Sequence, residues 1–186
     1  MKTPQDNTGN PLAAAPVSVN YDSSQETIEH ILRVRELLYV AQNKLQARGF
    51  AHDKSKLGPN EKPIFDRVTG KLRGLTYGSD EYKASLKDLG PALTHHYANN
   101  SHHPEHFENG VEGMSLFDVL EMLCDWKAAG ERHANGNINR SLAVNRDRFK
   151  ISDQLNAILE NTVRELGWTN SEVSIIPTLH VEPETK

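Results

Sequence analysis

The chain has 186 residues, of which 37% are hydrophobic, and a formal net charge of −4. That length suits one domain with a full-sized core. The mild acidity excludes a global basic field for holding nucleic-acid phosphates, and no apolar run approaches the roughly 18 residues of a membrane span.

The single cysteine, Cys124, excludes an intramolecular disulfide and fits a reducing compartment. The N-terminus has neither the basic nor the apolar block of a signal peptide, so a cytoplasmic location is expected. Residues 1–20 read as a disordered leader. Thr3-Pro4, Asn10-Pro11 and Ala15-Pro16 break any helix there, and the small alanines have little to bury. A helix follows. Ser23 and Glu26 have the spacing of a capping box. Ile31, Val34, Leu38, Ala41 and Leu45 recur at helical intervals as an apolar stripe, and Gly49 closes the element. His30 lies at the edge of that stripe.

Next comes Ala51-His52-Asp53-Lys54-Ser55-Lys56-Leu57, read as the start of a short second helix that Gly58-Pro59 ends. Imidazole nitrogen and carboxylate oxygen are both ligands for divalent transition metals. Neighbours on a helix point about 100° apart, so His52 and Asp53 make a site only if other elements complete it. Lys54 and Lys56 are candidate anchors for a phosphoryl oxygen.

Glu61 to Arg67 reads as another short helix, and Gly70 to Gly78 as a basic loop. Ser79 caps a helix over Glu81 to Leu89, and Gly90-Pro91 opens one over Ala92 to Ala98. That helix leads into the densest ligand cluster of the chain. Of nine histidines, five fall within twelve residues: His95, His96, His102, His103 and His106. Nitrogen donors at this density fit zinc, iron, cobalt, nickel or manganese better than magnesium. One member of each adjacent pair should face the site while the other orients it or packs.

Ser115 caps a helix over Leu116 to about Arg132, with Leu116, Val119, Leu120 and Leu123 on its core side. Asp118, Glu121 and Asp125 stack along one face. Such a row calls for a compensating cation: metal, lysine or solvent. Cys124, in the apolar run, is expected to be buried and inert. After a turn at His133 to Asn137, a helix over Ile138 to Phe149 carries Arg140, a candidate phosphate ligand. Ser152 caps the last helix, with Leu155, Ile158, Leu159, Val163 and Leu166 as its stripe, and Gly167 stops it. Residues 169–186 read as a polar tail, which leaves 21–168 as the folded domain.

An all-α pattern with a histidine, then His-Asp, then further histidines, then a helical Asp resembles the HD-domain superfamily of metal-dependent phosphohydrolases. The resemblance implies an HD-like helical bundle with His30, His52, Asp53 and Asp125 as metal ligands. By analogy with binuclear members it adds His96, His102 and His103. Lys56 takes the place of that family's phosphate-contacting lysine. The runs "HDKSKL", "HHYANNSHHPEH" and "MSLFDVLEMLCDWKAA" are also similar to a small uncharacterised family of phages and bacteria. The expected activity is hydrolysis of a phosphoester, with a small nucleotide as partner. One or two ions (Mn, Fe, Co, Ni or Zn) would activate water, Lys56 would stabilise charge, and Glu121 or Asp118 would act as general base. Two other readings stand beside it: a di-iron oxygenase using the same ligands, and a metal-stabilised binding module without catalysis. No membrane and no bulk nucleic-acid partner are expected.

Overall fold

A computed structural model describes residues 21–72, 80–132 and 136–169. The leader, residues 73–79 of the basic loop, residues 133–135 of the turn and the tail from 170 lie outside the described residues. The fold is all-α, as expected. The helices are α1 (Ser24–Ala51), α2 (Lys62–Leu72), α3 (Asp80–Lys87), α4 (Gly90–Asn99), α5 (Leu116–Glu131), α6 (Ile138–Phe149) and α7 (Asp153–Glu165). Short 3-10 turns cover Lys54–Leu57, Pro104–His106 and Gly110–Gly113. Among the described residues no helix is long and apolar enough to cross a membrane.

The chain divides into two compact units, residues 1–44 and 45–186, with the boundary inside α1. The described part of the first unit is the front of α1, where Asp22 Oδ1 accepts the backbone N–H of Ser24 at 2.9 Å. Here the apolar stripe is present but uncovered. No residue of α1 is buried, and Ile31 and Leu38 are 57% and 65% exposed. Helical spacing marks an apolar face but does not say what covers it. Gly49 does not close the helix either, since two further residues continue it to Ala51.

The second unit holds an apolar core where α5, α6 and α7 pack together. Val119, Met122 and Leu123 of α5 meet Ile138 and Leu142 of α6, Ile151, and Leu159 and Val163 of α7. Trp126 and Phe149 stack in parallel on the edge of this core, with ring centroids 6.2 Å apart. Ser115 caps α5 in a full capping box with Asp118, and Ser152 caps α7 through the Leu155 N–H. Two apolar positions differ from expectation. Leu116 is 81% exposed in the first turn of α5, and Ile158 is half exposed on the outer face of α7. α2 extends to Leu72, so Gly70 is helical and not the start of a loop.

Candidate metal centre

The second unit also has a polar interior. Glu61, His96, Asn100, His102 and Asp118 are all buried. Burial of that many polar groups is tolerable only if each finds a partner.

The His-Asp pair is not the start of a second helix. His52 follows the last turn of α1, and its N–H still donates to Arg48 O at 2.8 Å. Asp53 then adopts the left-handed conformation, φ 56° and ψ 12°, before the turn at Lys54–Leu57. Aspartate is among the few residues that tolerate this backbone. The reversal turns both side chains to one side, which two consecutive helical residues cannot do. His52 Nε2 stands 3.5 Å from Asp53 Oδ2, and 3.7 Å from Asp125 Oδ1 on α5. From α4 and the loop after it, His96 Nε2 and His102 Nε2 approach Asp53 Oδ1 to 3.3 and 3.6 Å. His96 Nε2 and His103 Nε2 are 2.9 Å apart.

Three groups have donor atoms close enough to share an ion: Asp53 with His96, His102 and His103; His52 with Asp53 and Asp125; and His52 with His102 and Glu121. The two oxygens of Asp53 face different groups, so one carboxylate serves both sides. Two atoms of the first group, Asp53 Oδ1 and His102 Nε2, are buried without a hydrogen-bond partner. Orphaned donors of this kind, converging from separate elements, are what an ion would satisfy. The cluster can hold a metal ion.

A carboxylate sits behind each of three of these imidazoles. Glu121 Oε1 lies 2.8 Å from His52 Nδ1 and 3.1 Å from His102 Nδ1. Glu61 Oε2 lies 2.9 Å from His96 Nδ1, while its Oε1 lies 2.7 Å from His95 Nδ1. A carboxylate only accepts, so the proton belongs on Nδ1 and Nε2 is left for the centre. Asn100 closes the same corner, donating to Ser55 Oγ at 2.7 Å and to His96 O at 2.8 Å.

The acidic row on α5 is divided by partner. Arg48 donates to Asp118 Oδ1 at 2.5 Å and to Glu121 Oε2 at 2.7 Å. Asp118 is saturated: Ser101 Oγ also donates to Oδ1, and the Ser115 N–H and Oγ donate to Oδ2. Burial would raise the Asp118 carboxyl, but Ser101, Ser115 and Arg48 together hold it down at about 2. Burial likewise opposes ionisation of Asp53, yet His96 and Lys56 hold it well below the usual carboxylate range. The Asp125 carboxylate, foremost, drives His52 up to about 9, with Glu121 and Asp53 adding to it against burial. Burial, with His102 and His96 as neighbours, pushes His103 down to about 3. Burial also lowers His102. Both therefore present unprotonated nitrogen at neutral pH.

The expected site residues fall into three sets. His52, Asp53, His96, His102, His103 and Asp125 come together, with Glu121 behind two of them. Lys56 joins them through Asp53 Oδ2, 2.5 Å away, and lies over the Phe65 ring. Asp118 lies beside the cluster as the anchor for Arg48. His30, Lys54 and Arg140 are exposed and belong to none of the ligand groups found among the described residues. His106 turns away, its Nδ1 2.7 Å from Tyr97 O. Two contributors were not expected from the sequence. Glu61 looks like an ordinary helix-start acid, and nothing local signals its complete burial. Arg48 was foreshadowed only by the cation that three stacked carboxylates require.

A cavity of about 490 Å³ opens beside the cluster. Leu45, Leu120, Ala128, Leu166 and Trp168 line it together with His52, Glu121 and Asp125 of the cluster. Cys124 lines it too and is exposed, not buried as its apolar neighbours suggested. Partial enclosure, with Glu121 and Asp125 nearby, raises the thiol pKa.

Residues 19–165 match the model of a family described as of unknown function, DUF5662. No curated protein and no solved structure matches the chain.

Proposed function

The chain belongs to the DUF5662 family of unknown function, and from the geometry of its polar interior we propose that it is a metal-dependent phosphohydrolase. The observation that carries this reading is the pair of buried, unpartnered atoms, Asp53 Oδ1 and His102 Nε2, inside a four-residue ligand group. Mixed imidazole and carboxylate donors suit Mn, Fe, Co, Ni or Zn. The two-sided use of Asp53 favours two ions over one.

A bound divalent ion would supply Lewis acidity, lowering the pKa of water and polarising a phosphoryl oxygen. The chain's own groups do the rest. Glu121 and Glu61 fix the tautomers of His52, His102 and His96, so that Nε2 of each faces the centre. Lys56, held beside Asp53, sets an ammonium where negative charge gathers on phosphoryl oxygens. Five carboxylates (Asp53, Glu61, Asp118, Glu121 and Asp125) lie in or beside the cluster, against three cations in the metal-free protein, Arg48, Lys56 and protonated His52. This excess of negative charge attracts a cation. Asp118, fully engaged, holds Arg48, and Glu121, tied to Arg48, His52 and His102, orients the imidazoles from behind. The reading keeps the resemblance to HD-domain phosphohydrolases that the order of His52, Asp53 and Asp125 in the sequence suggests, with His30 outside the ligand groups.

The test is release of phosphate or alcohol from a phosphoester panel by protein loaded with Mn, Co or Zn. Asp53→Asn, which keeps a residue tolerant of the left-handed backbone, should abolish turnover. No turnover with any of these metals would refute the reading, and iron with an oxygen-dependent spectrum would favour an oxygenase instead.

A further inference from the structure

The cavity beside the cluster bears on which phosphoester is taken. Its size is ordinary for a small-molecule site, but its lining is not that of a nucleotide pocket. The charged or imidazole side chains among the described lining residues are Arg48, His52, Glu121 and Asp125. All four are engaged. Arg48 is held by Asp118 and Glu121, while His52 is held by Glu121 and faces Asp125. The walls offer aliphatic carbon, the Trp168 indole and the Cys124 thiol, a weak donor.

A nucleobase is recognised by hydrogen bonds to its edge, and a polyphosphate by several cations. Among the described lining residues only the Trp168 N–H and the Cys124 thiol could answer a base edge, and no fixed cation but the engaged Arg48 is present. The one cation beside the metal ligands that is not tied to the α5 carboxylates is Lys56, among the described residues, and it suits a single phosphoryl group.

We propose that this cavity binds the apolar body, aryl or branched alkyl, of a phosphomonoester whose phosphoryl group lies at the metal cluster. The inference rests on the phosphohydrolase reading and narrows it to esters of apolar alcohols. The reaction balances as ordinary hydrolysis. A water oxygen bonds to phosphorus, the ester P–O bond breaks, and the alkoxide or phenoxide leaves with a proton from that water, giving free alcohol and inorganic phosphate. Burial of the apolar body supplies affinity in proportion to its area, while the charged end stays with the ion and Lys56.

Cys124 provides a readout independent of turnover, because it is the only cysteine in the chain and lines the cavity. With the Mn-loaded protein, 1-naphthyl phosphate should show a kcat/KM at least about tenfold above AMP or ATP, a preference of the size that burying a few methylene equivalents allows. Separately, 1-naphthol should slow alkylation of Cys124 by iodoacetamide severalfold, and AMP at the same concentration should not. Ala128→Trp, at an exposed position of the cavity wall, should remove both the protection and the preference. Faster turnover of AMP or ATP than of the naphthyl ester would overturn this inference and leave the phosphohydrolase reading standing. So would equal protection by AMP. No turnover of any ester would overturn both.

Discussion

Helix α5 borders two interiors of opposite character. On one side Val119, Met122 and Leu123 close against α6 and α7, and the chain itself supplies every partner. On the other, Glu121 and Asp125 face a set of imidazoles around Asp53, where Asp53 Oδ1 and His102 Nε2 make no hydrogen bond. The apolar side is complete without a ligand, because burial of hydrocarbon asks only for volume and shape. The polar side is not, because each buried donor and acceptor must be answered individually. Stability should therefore reside in the first and metal dependence in the second.

The largest expected effect lies on the apolar side. Leu123→Ala empties a fully buried position and should lower unfolding stability by about 2–5 kcal/mol. If the two sides are separate, chemical denaturation with and without metal will show the same loss. A loss that appears only with metal would erase the distinction.

Next in size is Glu61→Gln. The amide is nearly isosteric, yet it can no longer accept from both His95 and His96 through two carboxylate oxygens. Loss of such an orienting carboxylate typically weakens metal affinity about 10–100-fold. Titration of the apo variant with Zn or Mn should show this while the apo fold persists.

A smaller, graded effect follows from His52. Its folded pKa, about 9, stands above the ordinary 6.5. Protonated His52 therefore stabilises the metal-free protein fully below pH 6.5, and that contribution is lost as pH rises through 9. A metal needs the same nitrogen bare, so affinity should climb by up to about tenfold per pH unit until 9 and then level off. Metal-free Tm falling over this window, with metal affinity rising, would sharpen the contrast. Parallel curves would contradict it.

Leu116→Ala should do least. The side chain is 81% exposed on α5, so a change within about 0.5 kcal/mol is expected in thermal melts.

What could be seen in the sequence follows the same division. Helices α4 to α7 were legible because caps and apolar periodicity are local, as Ser115 with Asp118 and Ser152 with Leu155 illustrate. The stripe of α1 was legible as a pattern but not as burial, since Ile31 and Leu38 find no cover in their own unit. Residue types marked most of the cluster. His95 and His96 diverge as adjacent histidines on a helix do, but the split expected for His102 and His103 is not seen, since the loop brings both into one ligand group. The left-handed Asp53 was not legible, because a turn that aims His52 and Asp53 together leaves no periodic trace. Glu61 and Arg48 were missed for a related reason. Their partners lie 34 or more residues away in the chain, and neither has a distinctive local setting.

The central claim is that donors from the turn after α1, the His102-His103 loop, α4 and α5 meet on an ion. The most direct test is the metal content of native protein by elemental analysis, set beside that of Asp53→Asn. One or two transition-metal ions per chain, lost in the variant, is the predicted result. A native protein that stays metal-free when equilibrated with micromolar Mn, Fe, Co, Ni or Zn would contradict it.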